Sequence, residues 1–316
     1  MSFFQSKLFL SILGLAILFN FVFLKFGKKQ DLAFLSGVPK ILGVQTQLFY
    51  SANIWQPDLE NVLIYPLPQP EISAKSALVV DLTTDKVIFA KNPKQKLPVA
   101  STLKILTAVV ALEFAAPNKV ITVSEKAAKT GEDFMGLTAS EKLTLEELLY
   151  GLLLPSGNDA AEAISEDVVG TKAKFVELMN KKAKILGATE SKFVNPTGLE
   201  GDGEHYSTSF DMATISKYAW ENFPIFRKIV GARYYEIPYT PEHKYFFLEN
   251  QTNLLGTYPG VKGIKPGFTP EAGLCLVTLA ENGGHTILAV ILGSENRRDE
   301  MAKLLDYSFE TLGVKI

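Results

Sequence analysis

A serine and a lysine three residues apart precede a long apolar segment in the middle of the chain. Ser101 and Lys104 lie in the sequence Pro-Val-Ala-Ser-Thr-Leu-Lys at 98–104, and the apolar residues 105–116 follow directly. Residues with this spacing share one face of a helix. The lysine amine would therefore lie beside the serine hydroxyl and accept its proton, which activates a serine nucleophile without a histidine. At the start of a helix, the Ser101 N–H would also stabilise an oxyanion.

The spacing alone is weak evidence, because one Ser-x-x-Lys match is expected by chance in a chain of 316 residues. The order of two further patterns makes it more specific. Ser156-Gly157-Asn158 ends an apolar segment, and Lys265-Pro266-Gly267 lies in a predicted strand. Ser-x-Asn also occurs at 51–53 and 294–296, but only the copy at 156–158 lies between the other two patterns.

This ordered set resembles the serine D-Ala-D-Ala carboxypeptidases, the low-molecular-mass penicillin-binding proteins of peptidase family S11. The resemblance extends from about residue 74 to residue 309, and further segments match family landmarks in the family's order: 77–81, 134–137, 195–199, 205–208 and 303–307. It implies removal of the terminal D-alanine from peptidoglycan stem peptides, with β-lactam antibiotics as covalent inhibitors. It implies neither a cofactor nor a metal.

The resemblance also implies the catalytic roles. Ser101 would form the acyl-enzyme, and Lys104 would act as general base because burial near other cations lowers its affinity for a proton. Ser156 would pass a proton to the leaving D-alanine, while Asn158 would hold the substrate amide. Without the family context, a helix-capping loop is the preferred interpretation of the 156–158 segment, because Ser, Gly and Asn are favoured caps.

Substrate binding is assigned to the third motif and to one arginine. By resemblance, Lys265 would face the terminal carboxylate of the substrate, and the Phe268 N–H after Gly267 would complete the oxyanion hole. Arg297 matches an arginine near the carboxylate side of the family's cleft, although the adjacent Arg298 fits the same position.

Pro266 departs from the family, which usually has threonine or serine at this position. Proline is tolerated in an edge strand, so we expect the fold to survive and one hydrogen bond to the carboxylate to be lost. A literal Lys-Thr-Gly occurs at 129–131, but no predicted strand precedes it and it stands between the first two motifs. We interpret Lys129 as a solvated lysine in a turn.

The sequence leaves alternative functions open. A peptidoglycan endopeptidase uses the same chemistry, and a catalytically decayed wall-binding protein would be consistent with Pro266. A serine β-lactamase shares the three motifs, but Glu190 lies one residue too far from Asn195 for the usual glutamate motif.

Composition argues against several other classes of function and site. The net charge of −2 gives no electrostatic case for nucleic-acid binding. The three histidines, His205, His243 and His285, are too scattered for a zinc site. Cys275 is the only cysteine, which excludes an intramolecular disulfide, and its alternating neighbours indicate a buried strand position.

The N-terminal region predicts a membrane anchor. Leu8 to Leu24 form a run of 17 residues, interrupted only by Ser11, Gly14 and Asn20, between Lys7 and Lys25. As a helix this run is about 26 Å long, close to the lower limit for a spanning segment. A cleaved signal peptide is the alternative, but no small-x-small site follows at 27–31. The flanking lysines do not settle the orientation; the inferred substrate places the catalytic domain outside the cell membrane.

We therefore predict an anchor at 1–26, a juxtamembrane segment and Pro-rich linker at 27–70, and a serine DD-peptidase domain at 71–316. Strands are predicted at 77–82, 86–90, 273–280 and 285–293, and helices at 102–116, 145–154, 159–167, 171–186 and 298–311. Strands at both ends with helices between them indicate an α+β fold. The resemblance implies a β-lactamase-like antiparallel sheet of five strands with helices on both faces.

Overall fold

The computed structural model describes residues 54–63 and 67–316. These residues belong to one compact unit, Ser51–Ile316. Within them, no helix has the length and apolar character needed to cross a bilayer. The predicted anchor at 1–26 lies outside the described residues, as does the linker up to residue 53.

The described residues form ten strands and eight α-helices in the order expected for an α+β fold. The strands are β1 (Asp58–Val62), β2 (Ser76–Asp81), β3 (Lys86–Lys91), β4 (Val120–Thr122), β5 (Lys142–Thr144), β6 (Tyr234–Ile237), β7 (Phe246–Glu249), β8 (Val261–Thr269), β9 (Gly273–Asn282) and β10 (His285–Ser294). The α-helices are α1 (Lys104–Phe114), α2 (Glu125–Ala128), α3 (Leu145–Leu153), α4 (Asn158–Asp167), α5 (Lys172–Ile185), α6 (Ser209–Asn222), α7 (Pro224–Val230) and α8 (Arg297–Thr311).

The central sheet has six strands, in the order β1-β3-β2-β10-β9-β8. The prediction of five antiparallel strands was therefore wrong in two respects, because β1 adds a sixth strand and pairs with β3 in parallel. The sequence placed β1 in the linker. Its residues are mostly exposed at the edge of the sheet, so no apolar pattern marks the strand.

Helices cover both faces of the sheet, as predicted, and each face has its own apolar core. Leu78 and Val80 of β2 pack in the larger core, together with apolar residues of the helices that lie between β3 and β8 in the sequence. Ala77 and Val79 point to the opposite face, where they pack with apolar residues of α8. Successive residues of a strand point to opposite faces, so a strand between two cores reads as a continuous apolar run, like β2.

The predicted helices of the catalytic domain all form, with shifts of a few residues at their ends. The largest shift is at 102–116, where a 3₁₀ turn at Ala100–Leu103 precedes α1. The sequence did not predict α2, α6, α7 or the two-stranded sheets β4–β5 and β6–β7. One available signal was Thr208, whose side chain accepts a hydrogen bond from the Asp211 N–H and caps α6.

Candidate active site

The nucleophile candidate lies in the 3₁₀ turn between β3 and α1. Ser101 is buried apart from a small part of its surface, and the whole turn is buried. The chain that enters the turn is held by two backbone hydrogen bonds between Leu97 and Ser207, 2.9 and 3.0 Å long. Gly198 lies against the turn so closely that a Cβ there would come within 2.2 Å of the Ala100 carbonyl oxygen. The position of Ser101 is therefore fixed from two sides.

The Lys104 amine lies at the centre of the site. Its Nζ is 2.7 Å from Ser101 Oγ, 2.7 Å from Asn158 Oδ1, 2.8 Å from the Thr197 carbonyl oxygen and 3.4 Å from Ser156 Oγ. A neutral amine donates two hydrogen bonds and accepts one. Donation to Asn158 and Thr197 leaves its lone pair for the Ser101 hydroxyl, which is the arrangement that a general base requires.

The environment favours this neutral form. Burial, followed by the positive charge of Lys265, lowers the pKa of the Lys104 amine well below its ordinary value of 10.5. Asp133, Asp159 and Glu132 act in the opposite direction, but less strongly. Lys104 is completely buried, so desolvation of the ammonium is the dominant effect.

A loop that the sequence marked only as a family landmark supplies one of these contacts. Asn195 Oδ1 accepts hydrogen bonds from the N–H groups of Thr197 and Gly198, at 3.2 and 2.8 Å. Thr107, one helical turn after Lys104, donates to the Pro196 carbonyl at 2.8 Å. These bonds aim the Thr197 carbonyl at Lys104. Sequence reasoning gave this loop no role, because a backbone acceptor has no residue type to recognise.

The second motif faces Lys104 from the turn before α4. Ser156 is buried and has φ 69°, in the left-handed region that a serine rarely adopts. Such strain persists only when surrounding contacts enforce it. Here Gln251 binds both preceding carbonyls: its N–H donates to Leu154 at 3.1 Å, and its side-chain amide donates to Pro155 at 2.9 Å.

Asp159 fastens this turn to the loop at 131–137. Its buried carboxylate accepts hydrogen bonds from the N–H groups of Met135, Gly136 and Leu137, at 2.8, 2.8 and 2.9 Å. Asn158 Nδ2 donates to the Gly131 carbonyl at 3.2 Å. The site was not predicted to include this loop. The acidic residue directly after Ser-Gly-Asn was the signal that could have pointed to it.

The third motif lies in β8, at the edge of the central sheet. Gly267 is in register with Cys275 of β9, and a Cβ at this glycine would come within 3.0 Å of the Ser101 nitrogen. The glycine therefore lets β8 approach the nucleophile turn. Pro266 keeps its register with Leu276. Pro266 and Phe268 are two residues apart in β8, so their backbone nitrogens point to the same side of the strand. The Phe268 N–H is expected to face the cleft, and a proline at 266 would therefore remove no hydrogen bond to β9.

Lys265 is fully buried, and its Nζ has no hydrogen-bond partner among the described residues. Burial and the charge of Arg297 lower the pKa of Lys265 to about 7, against the opposing charge of Asp133. An unpartnered buried cation is costly and indicates a site for an anion. Arg297 donates to the Gly267 carbonyl at 2.7 Å, whereas Arg298 is exposed. Of the two arginines, Arg297 is thus the one that reaches β8.

The remaining candidates lie away from this cluster. Lys129 is 76% exposed and pairs with Glu125, so only the glycine of the literal Lys-Thr-Gly touches the site. Glu190 forms a surface ion pair with Lys96 at 2.8 Å, which gives no support to a β-lactamase water site. Burial raises the pKa of the Cys275 thiol to about 11, consistent with a packing role.

No cluster of potential metal ligands is found among the described residues. His205 is buried, its Nδ1 has no hydrogen-bond partner within residues 54–63 and 67–316, and burial lowers its pKa. His285 pairs with Asp81 at 2.9 Å in the sheet, and His243 binds the Lys244 carbonyl through Nδ1. The three histidines thus have separate surroundings.

A buried Ser–Lys pair, a second serine on the opposite wall and a lysine on an edge strand define a serine acyl-transfer site on a DD-peptidase fold. Residues 66–296 match the D-alanyl-D-alanine carboxypeptidase family, peptidase S11. The chain belongs to this family of peptidases, which confirms the resemblance seen in its motifs.

Named relatives agree with this assignment. The chain is 38% identical to the D-alanyl-D-alanine carboxypeptidase DacF of Bacillus subtilis over 75% of its own length, and the match spans 62% of that relative. It is 30% identical to a D-alanyl-D-alanine endopeptidase of Pseudomonas aeruginosa, covering 66% of this chain and 67% of the relative. The crystal structure of the Streptomyces K15 DD-transpeptidase superposes with a TM-score of 0.73 at 28% identity, covering 77% of this chain and all of that one.

Proposed function

We propose that the protein is a serine-type D-Ala-D-Ala carboxypeptidase that removes the terminal D-alanine from peptidoglycan stem peptides. One observation carries the proposal: the buried Lys104 amine is 2.7 Å from the Ser101 hydroxyl and is held there by Asn158 and Thr197. Family membership and the carboxypeptidase relatives support the same activity.

Acylation follows from this geometry. Lys104 takes the Ser101 proton as Oγ attacks the carbonyl of the penultimate D-alanine. The Ser101 and Phe268 N–H groups stabilise the oxyanion, because Gly267 lies against Ser101 and the amide after it opens toward the cleft. Ser156, 3.4 Å from Lys104, passes its hydroxyl proton to the leaving nitrogen as the C–N bond breaks, and takes the proton that Lys104 holds, so Lys104 is neutral again. Water then attacks the acyl carbonyl and Lys104 accepts its proton; the bond to Ser101 Oγ breaks, and Lys104 returns that proton to the serine oxygen.

Substrate selection is assigned to the opposite side of the cleft. Asn158 orients the substrate amide. Lys265 binds the terminal carboxylate, which would supply the partner that its buried ammonium lacks within the residues described by the structure. Pro266 offers no hydroxyl to the same carboxylate, so one hydrogen bond that the family resemblance implies is missing. A peptidoglycan endopeptidase, which uses the same chemistry, is the second candidate. The Pseudomonas relative is named as an endopeptidase.

The test is covalent trapping by penicillin, because β-lactams would acylate the same serine. Intact-mass spectrometry should show one adduct on the protein, mapped to Ser101 and absent in Ser101→Ala, while Lys129→Ala reacts like the wild type. Release of D-alanine from a D-Ala-D-Ala peptide then separates carboxypeptidase from endopeptidase, which would instead cleave cross-linked dimers. An adduct that persists in Ser101→Ala would contradict the assignment.

We also propose that residues 1–26 remain as an uncleaved anchor and hold the domain at 71–316 outside the cell membrane. The apolar run between Lys7 and Lys25 supports an anchor, and the location of peptidoglycan supports the outward orientation. Membrane fractionation and N-terminal sequencing test this proposal. A mature chain that begins near Lys28 would show a cleaved signal peptide instead.

A further inference from the structure

Exposed aromatic side chains are concentrated on the β6–β7 hairpin. Tyr234, Tyr239, Tyr245 and Phe247 are 50–73% exposed. The only other aromatic side chains exposed to this degree in the described chain, Phe134 and Phe268, flank the candidate active site. Single exposed apolar residues are ordinary, but a cluster of them indicates a binding surface.

The hairpin is amphipathic, with one face in the core and one face open. Alternation along the two strands places Tyr235, Ile237, Phe246 and Leu248 inward, and Tyr235 stacks on Tyr150. The residues of opposite parity form what we call the outer face: Tyr234, Glu236, Tyr245, Phe247 and Glu249.

The outer face is an ordered array. The rings of Tyr234 and Phe247 stack with centroids 5.7 Å apart, and the Tyr245 hydroxyl donates to Glu236 at 2.9 Å. Tyr234 pairs with Glu249, four residues along the chain from Tyr245. The array is therefore about 13 Å long, which is the length of about two to three pyranose rings.

Both ends of the hairpin abut segments that frame the active site. At the turn, Lys244 N–H donates to Glu141 at 3.2 Å, and the Lys142 N–H donates to Glu242 O at 3.1 Å. Residue 141 closely follows the loop that Asp159 clamps. At the other end, Gln251 binds the carbonyls before Ser156. A polymer whose stem peptide enters the site would therefore pass near this surface.

The chemistry of the outer face selects among possible occupants. Aromatic rings pack against the C–H faces of pyranoses, and tyrosine hydroxyls and carboxylates bind sugar hydroxyls. Glu236 and Glu249 are the charged residues of this face, so an anionic lipid surface would be repelled. A neutral amino-sugar polymer meets no such penalty.

We propose that the outer face binds the glycan chain of peptidoglycan and thereby holds the polymer while its stem peptide occupies the cleft. This inference rests on the proposed function for the identity of the polymer. It assigns to the hairpin a role separate from the chemistry at Ser101.

The experiment measures binding and turnover in the same variants. The double variant Tyr234→Thr/Phe247→Thr removes both rings and keeps β-branched residues in the strands. Ile54→Thr, at a residue that is 53% exposed, is the matched control. The probe is a soluble β-1,4-linked N-acetylglucosamine oligomer, titrated by calorimetry, with zwitterionic lipid vesicles as a second probe. Thermal unfolding verifies that each variant is folded.

We expect the double variant to bind the oligomer about tenfold more weakly and to lose turnover on glycan-linked substrate by a similar factor. Penicillin acylation of Ser101 and turnover of a short soluble peptide should not change. Equal oligomer binding by wild type and double variant would overturn the glycan surface, as would aromatic-dependent binding to vesicles but not to sugar. Failure of wild-type protein to form the penicillin adduct would instead refute the proposed function.

Discussion

Replacement of Lys265 should separate activity from stability. The Lys265 ammonium is buried and has no hydrogen-bond partner in the part of the chain that the structure describes, and the proposed substrate carboxylate completes the pair. Removal of one member of a buried ion pair costs about 3–5 kcal/mol, which corresponds to a loss of roughly two to four orders of magnitude in rate. Lys265→Met should therefore lower kcat/KM on a D-Ala-D-Ala peptide by this factor.

Stability should move in the opposite direction. The pKa of Lys265 falls to about 7 in the folded protein from 10.5, so the unfolded chain binds more protons between these values. Stability therefore rises with pH through this window, and the burial penalty is greatest below pH 7. Lys265→Met removes the penalty. We expect a higher Tm, by about 2–4 °C for each kcal/mol relieved in a domain of this size.

The assay is steady-state release of D-alanine, combined with thermal unfolding of the same samples. Lys129→Met is the matched control, because Lys129 is 76% exposed in an ion pair with Glu125; it should change kcat/KM less than about threefold. A purely structural lysine would lower Tm together with activity. If Lys265→Met leaves kcat/KM unchanged, or if Lys129→Met causes the large loss, the assignment of the third motif is wrong.

Three further outcomes are expected. Asp159→Ala should lower the free energy of unfolding by about 2–4 kcal/mol, because buried N–H groups lose their acceptor, and should slow penicillin acylation; unchanged denaturation and acylation would contradict the clamp. In a pH series, kcat/KM should rise as the Lys104 amine, whose pKa is lowered by burial, loses its proton. It should fall above about pH 7 as free Lys265 becomes neutral, and Lys265→Met should abolish that alkaline limb. Pro266→Thr should raise kcat/KM for D-alanine release several-fold if the missing hydroxyl limits carboxylate binding, whereas no change, with a severe loss in Arg297→Ala, would assign the carboxylate to the arginine.

The sequence was sufficient for the local part of the site. Ser101 and Lys104 are neighbours because one turn of helix brings them together, whatever the rest of the fold does. Order along the chain also distinguished Lys265 from Lys129, and strand alternation predicted that Cys275 is buried. The order of predicted strands and helices, together with the family landmarks, also predicted the α+β fold class.

Some parts of the fold left no sufficient signal in the sequence. The exposed edge strand β1 lacks an apolar pattern, so the sixth strand and its parallel pairing were missed. The Thr197 carbonyl, the Asp159 clamp and the strained backbone of Ser156 depend on contacts between distant segments.

Only the tertiary structure determines the pKa values of the site's lysines. Local sequence places the Lys104 amine beside Ser101, but β8, more than 150 residues later, carries a second buried lysine that lowers its pKa further. The sequence also did not distinguish Arg297 from Arg298. In the structure, Arg297 at the start of α8 is the one that donates to the Gly267 carbonyl. Residue types and local spacing define which groups are available, whereas burial and charge proximity arise only when distant segments exclude water together.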